Sequence, residues 1–230
     1  MNWRDFWNSD HSIYVNDRHR LLHYDRIARD IIALVDSPGS VMLDHGCGEA
    51  SAADAIAAKV ATLYLYDAAP NVQGKLRQKF SKLPQIHVLS NDALELVPDA
   101  SLDLVIVNSL LQYLTHTGFE QLLGFWHRKL KPEGKLVLAD LIPPDIGPVT
   151  DVKALLDFGW RGGFLFAALG GLVATLFSDY RKLRGQIGLT HYSAQDVATL
   201  TAAHGFTCER AARNIGHNQA RMCFVARKKG

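Results

Sequence analysis

From Asp17 to Val35 the apolar positions Leu21, Tyr24, Ile27, Ala28, Ile31, Leu34 and Val35 recur at helical spacing. They predict an amphipathic helix, ended by Ser37-Pro-Gly-Ser40. The period then changes. Val41-Met-Leu43 is a short apolar run that opens on Asp44-His-Gly-Cys-Gly48, and an alanine-rich helix follows to about Lys59. Ala61 to Tyr66 reads as a second strand leading to Asp67, Asn71 to Phe80 as a helix, and Ile86 to Leu89 as a third strand. Leu102 to Val107 reads as a fourth. Phe119 to Leu130 is a helix stopped by Lys131-Pro-Glu-Gly134, a turn into a fifth strand, Lys135 to Ala139. Strands alternating with helices predict βαβ units, and so a mostly parallel sheet covered on both faces.

The last third of the chain breaks the rhythm. After Pro143-Pro144 comes an irregular, glycine-rich apolar segment, then a helix from about Ser193 to His204. Phe206 to Arg210 and Arg221 to Arg227 read as an antiparallel strand pair at one sheet edge. The pattern predicts one domain over residues 1–230. Residues 1–40 form an N-terminal cap and helix, and residues 147–190 an insertion.

Composition narrows this reading only slightly. Hydrophobic residues are 48% and charged residues 21% of the 230 positions, enough to build a core without disulfides or metal. A net charge of +2 argues against a dedicated nucleic-acid binder. Cys47, Cys208 and Cys223 lack metal-type spacing, and their odd number suits a reducing cytoplasm. The N-terminus lacks the long apolar stretch of a signal peptide, so export is not expected.

Chemistry enters at the first strand. In an open parallel sheet, ligands sit at the carboxyl ends of the strands, near the switch in strand order. Gly46 and Gly48 lie there, where glycine lets the backbone turn sharply and approach a ligand. The third glycine of the dinucleotide fingerprint falls on Ser51, and Asp44 stands immediately before the loop. A carboxylate there repels a pyrophosphate. S-adenosylmethionine (SAM) has no phosphate and carries an ammonium and a sulfonium, so the loop suits SAM better than NAD.

Val41-Met-Leu-Asp-His-Gly-Cys-Gly48 resembles the first motif of class I SAM-dependent methyltransferases, with His45 where that family more often has a small or apolar residue. Asp67 matches the acidic residue that takes the two ribose hydroxyls, with Ala68 after it, and Asn91-Asp92-Ala93 the motif whose aspartate receives the adenine amino group. Leu102-Asp-Leu-Val-Ile-Val-Asn108-Ser-Leu-Leu-Gln112-Tyr113 is similar to the fourth-strand motif, and Leu130 to Leu138 to the turn into the fifth strand.

The resemblance implies a Rossmann-like α/β fold with a seven-stranded, mostly parallel sheet, an antiparallel C-terminal pair and helices on both faces. It implies SAM as cofactor, held by Asp44, Gly46, Cys47, Gly48, Asp67, Ala68, Asp92, Ala93, Asn108 and Ser109. Ser109-Leu-Leu111 after Asn108 is not the Asn-Pro-Pro-Tyr signature of amino-group methylation of nucleobases or protein glutamine. The metal-dependent catechol-type enzymes have aspartate where Asn108 stands, so no metal is expected. What remains resembles the type 11/12 group, with small-molecule and lipid acceptors and no nucleic-acid partner.

In-line displacement on a sulfonium needs alignment and exclusion of water, and a general base only if the acceptor must lose a proton. The base candidates are His19 and Tyr14 near the N-terminus and His191 and Tyr192 after the insertion, with His116 weaker. Trp3, Phe6, Trp7 and Tyr14 supply an aromatic cap. Phe164 to Phe177 is an uncharged run, too short to span a bilayer, preceded by Arg161 and followed by Arg181, Lys182 and Arg184. A buried helix, the apolar wall of an acceptor pocket and a peripheral membrane contact all fit it. Two other functions stay open: an NAD-dependent oxidoreductase, and a non-catalytic SAM-binding protein.

Overall fold

The structure, a computed structural model, describes residues 3, 7, 8, 14–176 and 188–229. Strands β1 (Val41–His45), β2 (Thr62–Tyr66), β3 (Ile86–Val88), β4 (Leu102–Asn108), β5 (Leu130–Leu141), β6 (Phe206–Arg210) and β7 (Met222–Lys228) form one sheet in the order β3-β2-β1-β4-β5-β7-β6. The first five are parallel, with Met42 beside both Leu63 and Leu104. β7 runs antiparallel to β5 and β6, pairing Leu136 with Ala226 and Phe206 with Lys228. The strand order reverses between β1 and β4, so the glycine loop and Asn108 share the crevice at that switch.

Helices cover both faces. On one lie α1 (Asp17–Ile32), α2 (Ala53–Ala57) and α3 (Pro70–Lys79), packing Ala28, Ile31, Ile56 and Leu76 onto Met42, Leu63 and Ile106. On the other lie α4 (Asn91–Glu95), α5 (His116–Lys129) and, later in the chain, the final helix, with Phe119, Leu123, Trp126 and Val197 against Leu43, Val105 and Leu136. Local chemistry sets the starts. The Asn16 side chain accepts from His19 N at 2.8 Å to open α1, and Thr115 caps α5 through Gly118 N.

The insertion corrects the reading of an irregular segment. It forms two helices, α6 (Pro148–Gly162) and α7 (Leu165–Leu176). Pro148 at the first turn and left-handed Gly163 punctuate α6, and Leu155, Leu156 and Gly159 supply its apolar face. Glycine content masked that periodicity. Gly171 of α7 lies against Val15, whose methyl occupies the space a Cβ would need. The rest of the apolar run, at Phe177, and the cations Arg181, Lys182 and Arg184 lie outside the described residues, as does Phe6. Thr190 returns the chain by donating to Leu114 O and to Gln112 O, ahead of α8 (Ala194–Ala203), which Ser193 and Asp196 open with a reciprocal capping box. Among the described residues no helix is long and apolar enough to cross a membrane.

A buried ion pair ties α6 to the sheet. Arg221, 8% exposed, donates to both oxygens of Asp151 at 2.8 and 2.9 Å and to Gln112 Oε1 at 3.2 Å. Losing one partner of such a pair strands the other charge. Asp151→Asn is therefore expected to destabilise the fold by about 3 kcal/mol, read as a fall in the midpoint of thermal unfolding.

Candidate active site

The loop after β1 is lashed to the end of β2. Gly46 N and Cys47 N both donate to Tyr66 O, at 2.7 and 3.0 Å, and Gly48 N donates to Asp67 Oδ2 at 3.1 Å. Gly46 and Gly48 take φ of +85° and +56°, the left-handed region that glycine enters without strain. Leu110 crowds the place of a Gly46 Cβ, at 3.1 to 3.3 Å. Asp67 Oδ1 also accepts from Ala69 N, so both its oxygens are fixed by backbone while keeping lone pairs for a ligand.

Within this corner Asp44, Gly46, Cys47, Asn108 and Tyr24 line a small cavity of about 40 Å³. Its polar lining accepts more than it donates. Asn108 Oδ1 is buried without a hydrogen-bond partner. Burial, and then the charge of Asp67, push the Asp44 carboxyl up to about 7, and burial also raises Asp67. Burial raises the Cys47 thiol well above its usual range, so it stays protonated. Two adjacent carboxylates and an orphaned amide oxygen fit a small cationic group such as an ammonium. The three loop N–H groups that a pyrophosphate would need are already engaged.

At the carboxyl ends of the neighbouring strands, Asp92 and Ala68 are exposed, and Ala93 gives its N–H to Ser90, the residue that caps α4. Ser109 differs from its expected place in the pocket lining. Its hydroxyl donates to Asp140 Oδ2 at 2.7 Å, and Asn214 binds the other Asp140 oxygen and the Asp140 N–H. Ser109 and Asp140 both sit at left-handed φ, +58° and +61°. Such backbone strain persists only where its surroundings hold it.

Of the four base candidates the structure brings two together. Tyr14 donates to Tyr24 Oη at 3.0 Å and packs edge-on to His19, which stacks on Phe164 with centroids 5.0 Å apart. The sequence reading missed His23, Tyr24, Phe158 and His217, which complete this cluster. His19 and His23 stand four residues apart on one face of α1, a spacing that was legible. Burial lowers His19 to about 4 and, with the neighbouring imidazoles, lowers His23 to about 3 and His217 to about 4. Burial raises Tyr14 to about 12. All five polar rings are therefore uncharged at neutral pH.

The other two candidates lie elsewhere. Tyr192 is fully buried in the core on the opposite face, stacked on His116 and edge-on to Phe119, and His191 is exposed. Packing, not access to the crevice, explains the placement of Tyr192. His45 faces α5, accepting from Trp126 Nε1 at 3.2 Å. Among the described residues no group of three or more His, Cys, Asp or Glu is placed to hold a metal ion.

The aromatic cap spans the crevice. Trp3 and Trp7 pack on Tyr113 after β4, while Asn8 accepts from Asn71 N and Asn71 Nδ2 at the start of α3.

Residues 43–138 match the family described as Methyltransferase domain. That match places a methyltransferase domain on the strands that carry the glycine loop, Asp67, Asp92 and Asn108. No curated protein sequence matches it. The methyltransferase is similar in fold to magnesium protoporphyrin IX methyltransferase from Synechocystis PCC 6803 with bound S-adenosylhomocysteine. The two are 16% identical over 99% of this chain and 93% of that one, with a TM-score of 0.62. It is also similar to the mitomycin 7-O-methyltransferase MmcR, at 15% identity over 100% and 61% with a TM-score of 0.64. A third is the pyocyanin biosynthetic protein PhzM, at 20% identity, 92% and 56%, and a TM-score of 0.60. The chain thus spans little more than half of PhzM.

The raised Asp44 carboxyl gives a signed pH dependence for the methyltransferase. Its contribution to stability is present below the ordinary value of 3.8 and is lost as pH rises through about 7. Asp44→Asn is expected to raise the unfolding midpoint of the ligand-free protein at pH 7.5. Binding a cation favours the ionised carboxylate, so wild-type SAM affinity falls below pH 7 by up to about tenfold per pH unit. The asparagine variant binds SAM more weakly and without that slope in calorimetry between pH 5 and 7.

Proposed function

We propose that the methyltransferase passes the SAM methyl group to a small, lipophilic acceptor seated against the ring cluster of Tyr14, His19, His23, Tyr24, Phe158 and His217, without metal. One observation carries this reading: a packed cluster of uncharged rings adjoins the small cavity lined by Asp44 and Asn108, with Tyr24 belonging to both. Bound SAM supplies an activated methyl on a sulfonium. The protein's task is to hold, align and dry the reacting atoms.

Asp67 is assigned to the ribose hydroxyls and Asp92 to the adenine amino group. Asp44 and Asn108 are assigned to the cationic end of the cofactor, with Gly46, Cys47, Gly48, Ala68 and Ala93 as surrounding backbone. Ser109 and Asp140 hold the edge of the crevice. A hydroxyl of raised pKa offers hydrogen bonds rather than a phenolate, so Tyr14 and Tyr24 orient the acceptor. His19 and His23 are neutral and able to accept a proton, though their low basicity makes them weak general bases. The names of the mitomycin, pyocyanin and protoporphyrin proteins refer to small molecules, which agrees with this acceptor class.

The insertion faces the ring cluster on one side and solvent on the other. Phe164 and Ala168 are buried, while Trp160, Phe166 and Leu169 are exposed at 74%, 89% and 45%. Those outward side chains favour a second role for α6 and α7, as a contact with a lipid surface that delivers a lipophilic acceptor.

Isotopically labelled SAM incubated with enzyme and a cell extract is expected to label a small molecule, and activity is expected to survive dialysis against EDTA. A loss restored by Mg²⁺ would overturn the metal-free mechanism. Phe164→Ala is expected to cost about 3 kcal/mol of stability and to raise the acceptor KM at constant SAM affinity. Phe166→Ala is expected to leave the unfolding midpoint unchanged and to reduce co-sedimentation with lipid vesicles. Equal effects of the two substitutions would remove the division of labour assigned to α7.

A further inference from the structure

Beside the ring cluster lies a second cavity of about 500 Å³, between α1, α6 and the loop joining β6 to β7. Arg26, Lys153, Arg161 and Arg213 line it, against a single carboxylate, Asp157. Arg161 is paired with Asp157 at 3.0 Å, and Arg26 with Asp30 at 3.2 Å. Among the described residues Lys153 and Arg213 have no ion pair, and both are exposed. Four cations around one concavity repel each other, and the two aspartates offset only half of that charge. The concavity therefore holds a positive potential.

One wall of this cavity belongs to the ring cluster. Phe158 and His217 line the cavity and stack on each other, with centroids 4.5 Å apart and planes 10° from parallel. His217 in turn contacts His23 and His19, and His23 contacts Tyr24, which lines the cofactor cavity. The cationic basin and the small cavity at Tyr24 are thus joined by one continuous cluster of rings.

We propose that the basin seats an anionic group of the methyl acceptor, a carboxylate or phosphate, held by Lys153 and Arg213. The acceptor is then amphipathic: an aromatic or aliphatic body against Phe158 and His217, and an acid group in the basin. This inference rests on the methyltransferase reading for the word acceptor, and on the basin alone for the anion. Lys153 comes from the insertion and Arg213 from the β6–β7 loop, so neither touches the glycine loop or Asp67. Their removal changes what is bound without touching the groups assigned to SAM.

The test titrates phenyl phosphate, benzoate and neutral benzyl alcohol into wild-type protein and the double variant Lys153→Ala/Arg213→Ala, with SAM titrated into both. Phenyl phosphate and benzoate are expected to bind wild type in preference to benzyl alcohol. The double variant should lose at least about tenfold of that affinity, as expected for lost charged hydrogen bonds, with SAM affinity and the unfolding midpoint unchanged. Equal affinity in the two proteins, or equal binding of benzyl alcohol, overturns the anion site. Absence of SAM binding in wild type overturns the cofactor reading, while the phosphate titration still reads the basin on its own. With labelled SAM and extract, the labelled product should bear an acid group. Label in an organic extract assigns that group to a lipid, and label in the aqueous phase to a soluble compound. A labelled product without any acid group overturns the acceptor assignment.

Discussion

Every feature of the cofactor corner depends on how the end of β1 is fastened to the end of β2. Two loop N–H groups converge on the carbonyl of Tyr66, and a third is taken by Asp67. Those bonds satisfy backbone donors that the sheet edge would otherwise leave open, and they use up the groups with which a glycine loop usually grips phosphate. What remains facing the crevice is oxygen. The preference for a cationic ligand is therefore a by-product of satisfying the backbone.

The same corner costs stability. Burial and the neighbouring charge of Asp67 hold Asp44 partly protonated near neutral pH, and burial also raises Asp67. Ser109 and Asp140 add two left-handed residues at the ends of adjacent strands, held by their mutual hydrogen bond and by Asn214. Strain and uncompensated charge gather on one edge of the sheet, where ligand recognition requires them. The opposite face stays conventional. His45 marks the boundary, since its imidazole turns from the loop into the core to meet Trp126.

The cofactor half of the site was legible because its residues follow strands in a fixed order. Each strand announced itself by a short apolar run, so the residue after it could be placed at the carboxyl edge. The resemblance to a family motif at each of those strand ends singled out Asp44, Asp67, Asp92 and Asn108 as the proposed cofactor contacts. The acceptor half was not. His23 and Tyr24 sit inside an amphipathic helix whose pattern explains them as packing, and His217 sits in a turn-rich stretch with no periodicity at all. Tyr192 shows the converse error: an aromatic next to a histidine after an insertion read as catalytic, and the core claimed it. Ser109 was expected to line the cofactor pocket, and its bond to Asp140 was not legible, because Asp140 lies thirty-one positions further on and only the sheet brings them together.

The place of β7 between β5 and β6 has a consequence for the order in which this molecule assembles. The glycine loop, Asp67 and Asn108 rest on β1, β2 and β4, whose pairings, such as Val41 with Thr62 and Met42 with Leu104, span shorter stretches of chain. The β5–β7 pairing instead joins residues such as Leu136 and Ala226, and only that closure brings His217 to α1. Contacts of long sequence separation form late, because chain entropy must be lost before they repay it. The contact of α1 with the β6–β7 loop is thus the last part of this region to be assembled.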